Sequence, residues 1–169
     1  MTSREFTLLN IAIEVMGNYR KCCKDPYQKD LPLTGSLMLA LRGLKKRREA
    51  SDIDFLISKL DYENIEDVLG ILPSGFEDIS GDDIEDSYDP IGRFYNKELD
   101  IKIEFLIQDF EDINYVDGIA CGTIYDMVCA KIKYSTENNP ESALKHRLDI
   151  KYLFDNNIID KNTKQLIIE

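Results

Sequence analysis

The sequence is poor in the side chains that soft-metal and redox sites depend on. It has one histidine, His146, and four cysteines, Cys22, Cys23, Cys121 and Cys129. No pair of cysteines falls in a C-x-x-C spacing and no histidine lies near them, which argues against a zinc site. The expectation is reduced, mostly buried thiols in a cytoplasmic protein. His146 reads as a half-buried helix residue rather than a catalytic group. Long hydrophobic runs are also missing. Thr7–Met16 is interrupted by Asn10 and Glu14, and nothing approaches the ~18 consecutive apolar residues of a spanning helix. A soluble protein without a membrane partner is expected. Positive charge is in deficit too. The net charge of −11 disfavours a non-specific nucleic-acid binder, because phosphates must be met by Lys and Arg. The acidic run from Glu77 to Asp89 lacks the EF-hand spacing and reads as a solvated loop. With no internal repeat and no low-complexity linker, the 169 residues, 43% of them apolar, read as one domain over 1–169.

Within that domain the pattern predicts a helix over 5–24, a core over 30–110 and a helical part over 121–169. Phe6, Leu9, Ile13, Met16 and Tyr19 follow a helical spacing, with Ser3 as N-cap and Asp25-Pro26 as the stop. Leu31–Thr34 is a short apolar run before Gly35, and Leu37–Leu44 reads as a second helix. Ser51–Ile57 reads as a strand. Asp61 opens a helix expected to reach Leu72, where Pro73-Ser74-Gly75 breaks it. Arg93–Tyr95 and Leu99–Ile107 read as a hairpin around Asn96-Lys97-Glu98. In its second arm Leu99, Ile101, Ile103 and Phe105 alternate with Asp100, Lys102, Glu104 and Leu106. Thr123 with Asp126 resembles a capping box for a helix ending near Tyr134. After an Asn138-Asn139-Pro140 turn, a helix continues to Phe154 with Leu144, Leu148 and Leu153 apolar. A last short helix is expected around Thr163–Ile168. The expected fold class is α+β: a small mixed or antiparallel sheet carrying acidic residues, flanked by helices, with a helical C-terminal portion.

The chemistry-bearing residues cluster around Gly35-Ser36 and Ser51-Asp52-Ile53-Asp54. Side chains alternate along a strand, so Asp52 and Asp54 share a face. Two adjacent acids repel unless a cation lies between them. Mg2+ favours one or two carboxylates together with substrate phosphates. Gly35 and Ser36, at a helix start, offer backbone N–H groups that suit a phosphate. A two-metal site needs a further acid. Glu104, between Ile103 and Phe105, is preferred for it, with Asp100 as the rival. The run Lys45-Lys46-Arg47-Arg48 reads either as a local cationic patch or as a solvated helix end complementing the macrodipole. Lys131 and Arg147 read either as phosphate ligands or as ordinary helix cations, Lys131 snorkelling and Arg147 pairing with Asp126 or Asp149.

The ordered set of Gly35-Ser36, a helix, Asp52-x-Asp54 on a strand and Glu104 on a later strand resembles the nucleotidyltransferase superfamily of polymerase-beta-like fold. Within it, Leu37–Leu44, Arg47-Arg48, Ser51–Asp54, Lys131 and Arg147-Leu148-Asp149 are similar to bacterial abortive-infection toxins and related nucleotidyltransferases. The resemblance implies Asp52, Asp54 and Glu104 as catalytic metal ligands for Mg2+ or Mn2+. It implies Gly35, Ser36, Arg48, Lys131 and Arg147 as nucleotide-binding residues. The partners implied are a nucleoside triphosphate, an acceptor hydroxyl on RNA, a protein or a small molecule, and a cognate regulatory protein. An antibiotic-modifying transferase would suit the acidic stretch 77–89, and an RNA acceptor the basic stretch 45–48. The alternative is a catalytically inactive member acting as a nucleotide-binding or protein-interaction module.

Overall fold

The computed structural model describes residues 1–81, 91–110, 112–135 and 140–159. In chain order the elements are α1 (Ser3–Cys22), β1 (Leu33–Thr34), α2 (Gly35–Leu41), β2 (Ile53–Ile57), α3 (Lys59–Glu63), a 3-10 turn (Leu69–Ile71), β3 (Phe76–Asp78), β4 (Ile91–Asn96), β5 (Ile101–Ile107), β6 (Asn114–Val116), β7 (Ile119–Cys121), α4 (Ile124–Tyr134) and α5 (Pro140–Asp155). The seven strands form one mixed sheet in the order β3-β4-β5-β2-β1-β7-β6. The β2–β5 and β1–β7 pairs are parallel and the other neighbours antiparallel. The fold is therefore mixed α+β, as the sequence pattern predicts.

β2 and β5 lie in the interior of the sheet. β-branched and aromatic residues suit a pleated surface buried on both sides. Ile53, Phe55 and Ile57 enter the main core with Leu8, Val15 and Tyr19 of α1 and Leu37 and Met38 of α2. Phe55 stacks on Phe105 with ring centroids 5.6 Å apart. The opposite face carries Leu56 and Leu106, which pack with Ala130 and Tyr134 of α4. Asp54 and Glu104 share the parity of Leu56 and Leu106, so they lie on that α4-covered face.

Several local expectations need correction. Thr2, not Ser3, caps α1, in a capping box with Glu5. The buried face of α1 is Glu5, Leu8, Leu9, Ala12, Val15 and Tyr19, whereas Phe6 and Ile13 are exposed. Small Ala12 lets the helix sit close to the sheet, and the buried Glu5 disguises the stripe. α2 stops at Leu41 because Gly43, at φ +70, closes it. Leu44 N–H donates to Leu39 C=O and Gly43 N–H to Ala40 C=O, each at 3.0 Å, the pattern of a glycine-terminated helix. Ser58, not Asp61, caps α3, and that helix ends at Asn64 instead of continuing to Leu72. Asn favours caps and turns because its side chain competes for local backbone groups.

The hairpin turn also runs longer than predicted. Residues 97–100 form it, leaving Leu99 and Asp100 outside β5, and Asp100 has φ 51. α5 begins at Pro140 as expected but buries Ala143, Asp149, Ile150 and Leu153, with Leu144 and Leu148 exposed. All four cysteines are free, and only Cys121 is buried. The helix expected at 163–168, the 138–139 turn and the acidic residues 82–90 lie outside the described residues. Glu77 and Asp78 belong to β3. Among the described residues no helix is long and apolar enough to cross a membrane.

Candidate functional site

The α4-covered face of the sheet opens into a cleft of about 960 Å³. Its floor comes from the sheet. Asp54 is held between two neighbours in register, Thr34 of β1 and Glu104 of β5. Asp52, in the bend just before β2, lines the same cleft. Gly35 and Ser36 line it from the start of α2. Gly35 has φ +72, and a Cβ there would sit 2.4 Å from Asp54 Oδ2. Two independent constraints therefore demand glycine: the left-handed backbone and the carboxylate packed against it.

The cleft wall comes from α4, α5 and the segment before Asp52. Lys131, Lys145 and Arg48 face in from this side. Asp149, buried on α5, organises two of them. It accepts from Lys131 Nζ at 3.0 Å, Arg47 Nε at 2.9 Å and an Arg48 terminal nitrogen at 3.2 Å. Burial would raise the Asp149 pKa, but Lys131 and Arg48 beside it and the Arg47 hydrogen bond hold it down at about 2. Lys145 is pushed below the ordinary lysine value, first by burial and then by the neighbouring Arg48 charge. No ion pair or hydrogen bond from Lys145 occurs among the described residues. The remaining edge is apolar, with Ile79, Ile91, Leu106, Met127 and Tyr134.

The acids have unlike surroundings. Burial pushes the Asp54 pKa up to about 8, and the nearby Glu104 and Asp52 charges add to the shift. Glu104 instead has two cationic neighbours, Arg93 Nε at 3.7 Å and Lys102 Nζ at 3.6 Å. Arg93 is its cross-strand partner and Lys102 is two residues along the same strand face. As placed, no three His, Cys, Asp or Glu side chains among the described residues are gathered tightly enough to grip one ion. The donor chemistry nevertheless suits a hard divalent cation. Asp52 and Asp54 present oxygens, burial and the Glu104 and Asp52 charges outweigh Lys131 and Lys145 at Asp54, and the buried Thr34 hydroxyl beside it has no hydrogen-bond partner among the described residues. Asp52 and Asp54 are the residues that would hold a Mg2+ or Mn2+ ion here.

Seven of the eight residues singled out in the sequence line this cleft: Gly35, Ser36, Arg48, Asp52, Asp54, Glu104 and Lys131. Arg147 does not. It lies on the exposed face of α5 and donates to Ser135 C=O at 3.2 Å, because the helical period turns it away from Lys145 and Asp149. Asp100 is also outside, in the hairpin turn, where it accepts from the Tyr95 hydroxyl at 2.7 Å. The run 45–48 is neither a free patch nor a helix end, since Lys46 pairs with Glu5 at 2.9 Å and Arg47 and Arg48 with Asp149. Sequence reading missed Thr34, Arg93, Lys102 and Lys145. The alternation of β5 was enough to find Lys102, which shares a face with Glu104. His146 lines the cleft half-buried, its ring 5.8 Å from that of Tyr134.

No protein-family model matches the chain, and no curated protein matches it in sequence. Eight chains of solved structures resemble it, among them the following two. One is JHP933 from Helicobacter pylori, at TM-score 0.46 and 17% identity, matched over 90% of this chain and 67% of that one. The other is a protein of the same organism described as a "putative nucleotidyltransferase", at TM-score 0.43 and 19% identity, matched over 78% of this chain and 59% of that one. The chain thus spans about three fifths to two thirds of the length of these two proteins.

Proposed function

We propose that the cleft binds a nucleoside triphosphate with Mg2+ or Mn2+ and transfers its nucleoside monophosphate to an acceptor hydroxyl. The observation that carries this reading is the gathering of acids and cations in one cleft. Asp52, Asp54 and Glu104 line it with Arg93 and Lys102 beside Glu104, and Arg48, Lys131 and Lys145 line it from the segment before Asp52 and from α4 and α5, where Glu141 also faces it. A metal–triphosphate has the complementary pattern of a cation beside a chain of anions. Held by Asp52 and Asp54, such an ion would supply positive charge that neutralises the triphosphate.

The chain's own residues do the rest. Asp52 and Asp54 hold the ion. The Gly35 and Ser36 amides and the Ser36 hydroxyl face the outer phosphates, where the absence of a Gly35 side chain permits close approach. Arg48, Lys131 and Lys145 neutralise the charge that develops as pyrophosphate leaves. Glu104 takes the proton of the acceptor hydroxyl as that oxygen bonds to the α-phosphorus and the bond to pyrophosphate breaks. The acceptor is a hydroxyl on RNA, a protein or a small molecule. Internal pairing of Lys46, Arg47 and Arg48 weakens the case for RNA.

A second reading, a nucleotide-binding module without turnover, is favoured by one observation: Glu104 is already engaged by Arg93 and Lys102. A single set of assays tests both. Melting temperature is measured with each nucleoside triphosphate, with and without Mg2+. A ligand at 100 times its Kd stabilises by about 2.7 kcal/mol. The double Asp52→Asn, Asp54→Asn variant is expected to melt no lower than the parent, since repulsion is relieved, and to lose the Mg2+-dependent shift. Glu104→Gln is expected to abolish transfer of label from the triphosphate, and Asp100→Asn to leave it intact. Binding without transfer by the parent selects the second reading. An undiminished shift in the double variant overturns both.

A further inference from the structure

The segment that brings Arg48 and Asp52 to the cleft, residues 42–52, contains no regular element beyond the end of α2. Something must hold its backbone in place, and cations at 45–48 would otherwise keep it in solvent. The wall side of this strap is tied by Asp149. Its other side meets the first turn of α1. Glu5 is completely buried, which is unusual for a carboxylate unless it is paired. Its two oxygens accept from Thr2 N–H at 3.0 Å, Ala50 N–H at 3.0 Å and Lys46 Nζ at 2.9 Å. Adjacent residues of the same helical turn add to the grip. The Thr2 hydroxyl bonds the Glu49 carboxylate, and an Arg4 guanidinium nitrogen reaches Ser51 C=O at 3.4 Å and Asp100 C=O at 2.7 Å. The strap is therefore clamped between two buried carboxylates, Glu5 on α1 and Asp149 on α5, with Arg48 and Asp52 leaving it into the cleft.

We propose that Glu5, which does not line the cleft, is a positioning residue for it: through Lys46 and the Ala50 amide it sets the strap that presents Arg48 and Asp52. This role rests on the nucleotide-binding reading of the cleft. An apolar residue at that position of α1 would leave the Ala50 amide and the Lys46 ammonium without the carboxylate that satisfies them. If Glu5 acts through the strap, its removal costs affinity only while Arg48 is there to be misplaced.

The experiment uses the full chain and inorganic triphosphate with Mg2+, which is independent of base preference. Affinities are measured for the parent, Glu5→Gln, Arg48→Gln and the double variant. Amide hydrogen exchange of the same proteins is followed without ligand. Coupled residues show non-additive effects. Glu5→Gln is expected to weaken binding by about 10-fold in the parent and less than about 2-fold in the Arg48→Gln background. Exchange should quicken over 45–52 while β5 and α4 keep their protection. Equal losses in both backgrounds, or unchanged binding in Glu5→Gln, overturn the proposal. If Glu5→Gln does not fold, Lys46→Gln replaces it, leaving the Ala50 hydrogen bond, and the same pattern is expected at smaller amplitude. If the parent itself takes up no triphosphate, the nucleotide reading fails. Glu5 is then judged by exchange alone: quickening confined to 45–52 supports its hold on the strap, and unchanged protection there overturns it.

Discussion

Gly35 and Asp54 define the site at the scale of single residues, and each restricts the other. A methyl group at 35 would meet Asp54 Oδ2 at 2.4 Å and would sit on a backbone at φ +72. The left-handed conformation alone costs a non-glycine residue roughly 1–2 kcal/mol. Gly35→Ala is therefore expected to lower stability by about that much in urea denaturation and to weaken Mg2+–nucleotide binding further by displacing the Asp54 carboxylate. Unchanged affinity in a folded Gly35→Ala protein would remove the turn from the site. Asp54 and Glu104 were readable in the sequence because each is a lone acid between apolar strand residues. Glu5 was not. A carboxylate on a helix is ordinarily solvent-facing, and nothing local reveals that Lys46 and the Ala50 amide will come to meet it.

At the scale of elements, the helices show where periodicity stops being informative. α1 contains two overlapping apolar stripes about one position apart, and packing selects the one with Leu8 and Ala12. Leu8→Ala is expected to cost about 2–5 kcal/mol, because Leu8 is fully buried. Phe6→Ala should change stability by no more than about 0.5 kcal/mol, since Phe6 is 54% exposed. Chemical denaturation of the two variants decides the helix face. The strands carrying Asp54 and Glu104 were legible through their dense β-branched and aromatic content. The β6–β7 hairpin was overlooked although its Asp117-Gly118 turn, with φ 50 and 77, is a strong short-range hairpin signal. That β2 and β5 run side by side was not legible, because parallel pairing is decided by the whole sheet and not by either strand.

The whole molecule should feel pH from two directions. The folded state holds Glu5 at about 2 against an ordinary 4.5, and Asp149 at about 2 against 3.8. In Glu5, burial is outweighed by the Thr2 and Ala50 amides and by Lys46. Below the ordinary values the unfolded chain takes up protons that the folded one refuses. Stability is therefore lost as pH falls from about 4.5 toward 2. Asp54 has the opposite sign. Raised from 3.8 to about 8, it keeps a proton that the unfolded chain has released, so metal-free stability declines as pH rises between those values. Melting temperatures across pH 2–9 should show both slopes. Glu5→Gln should flatten the acid one, and Asp54→Asn the neutral-to-alkaline one. The parallel register of Asp54 with Glu104 also dictates a timetable for assembly. As the chain leaves the ribosome, Asp52 and Asp54 have only the two-residue β1 beside them until residues 101–107 follow. Because non-local pairing is slow to form, the nascent chain passes through a long interval in which its first acids are present and its cleft is not.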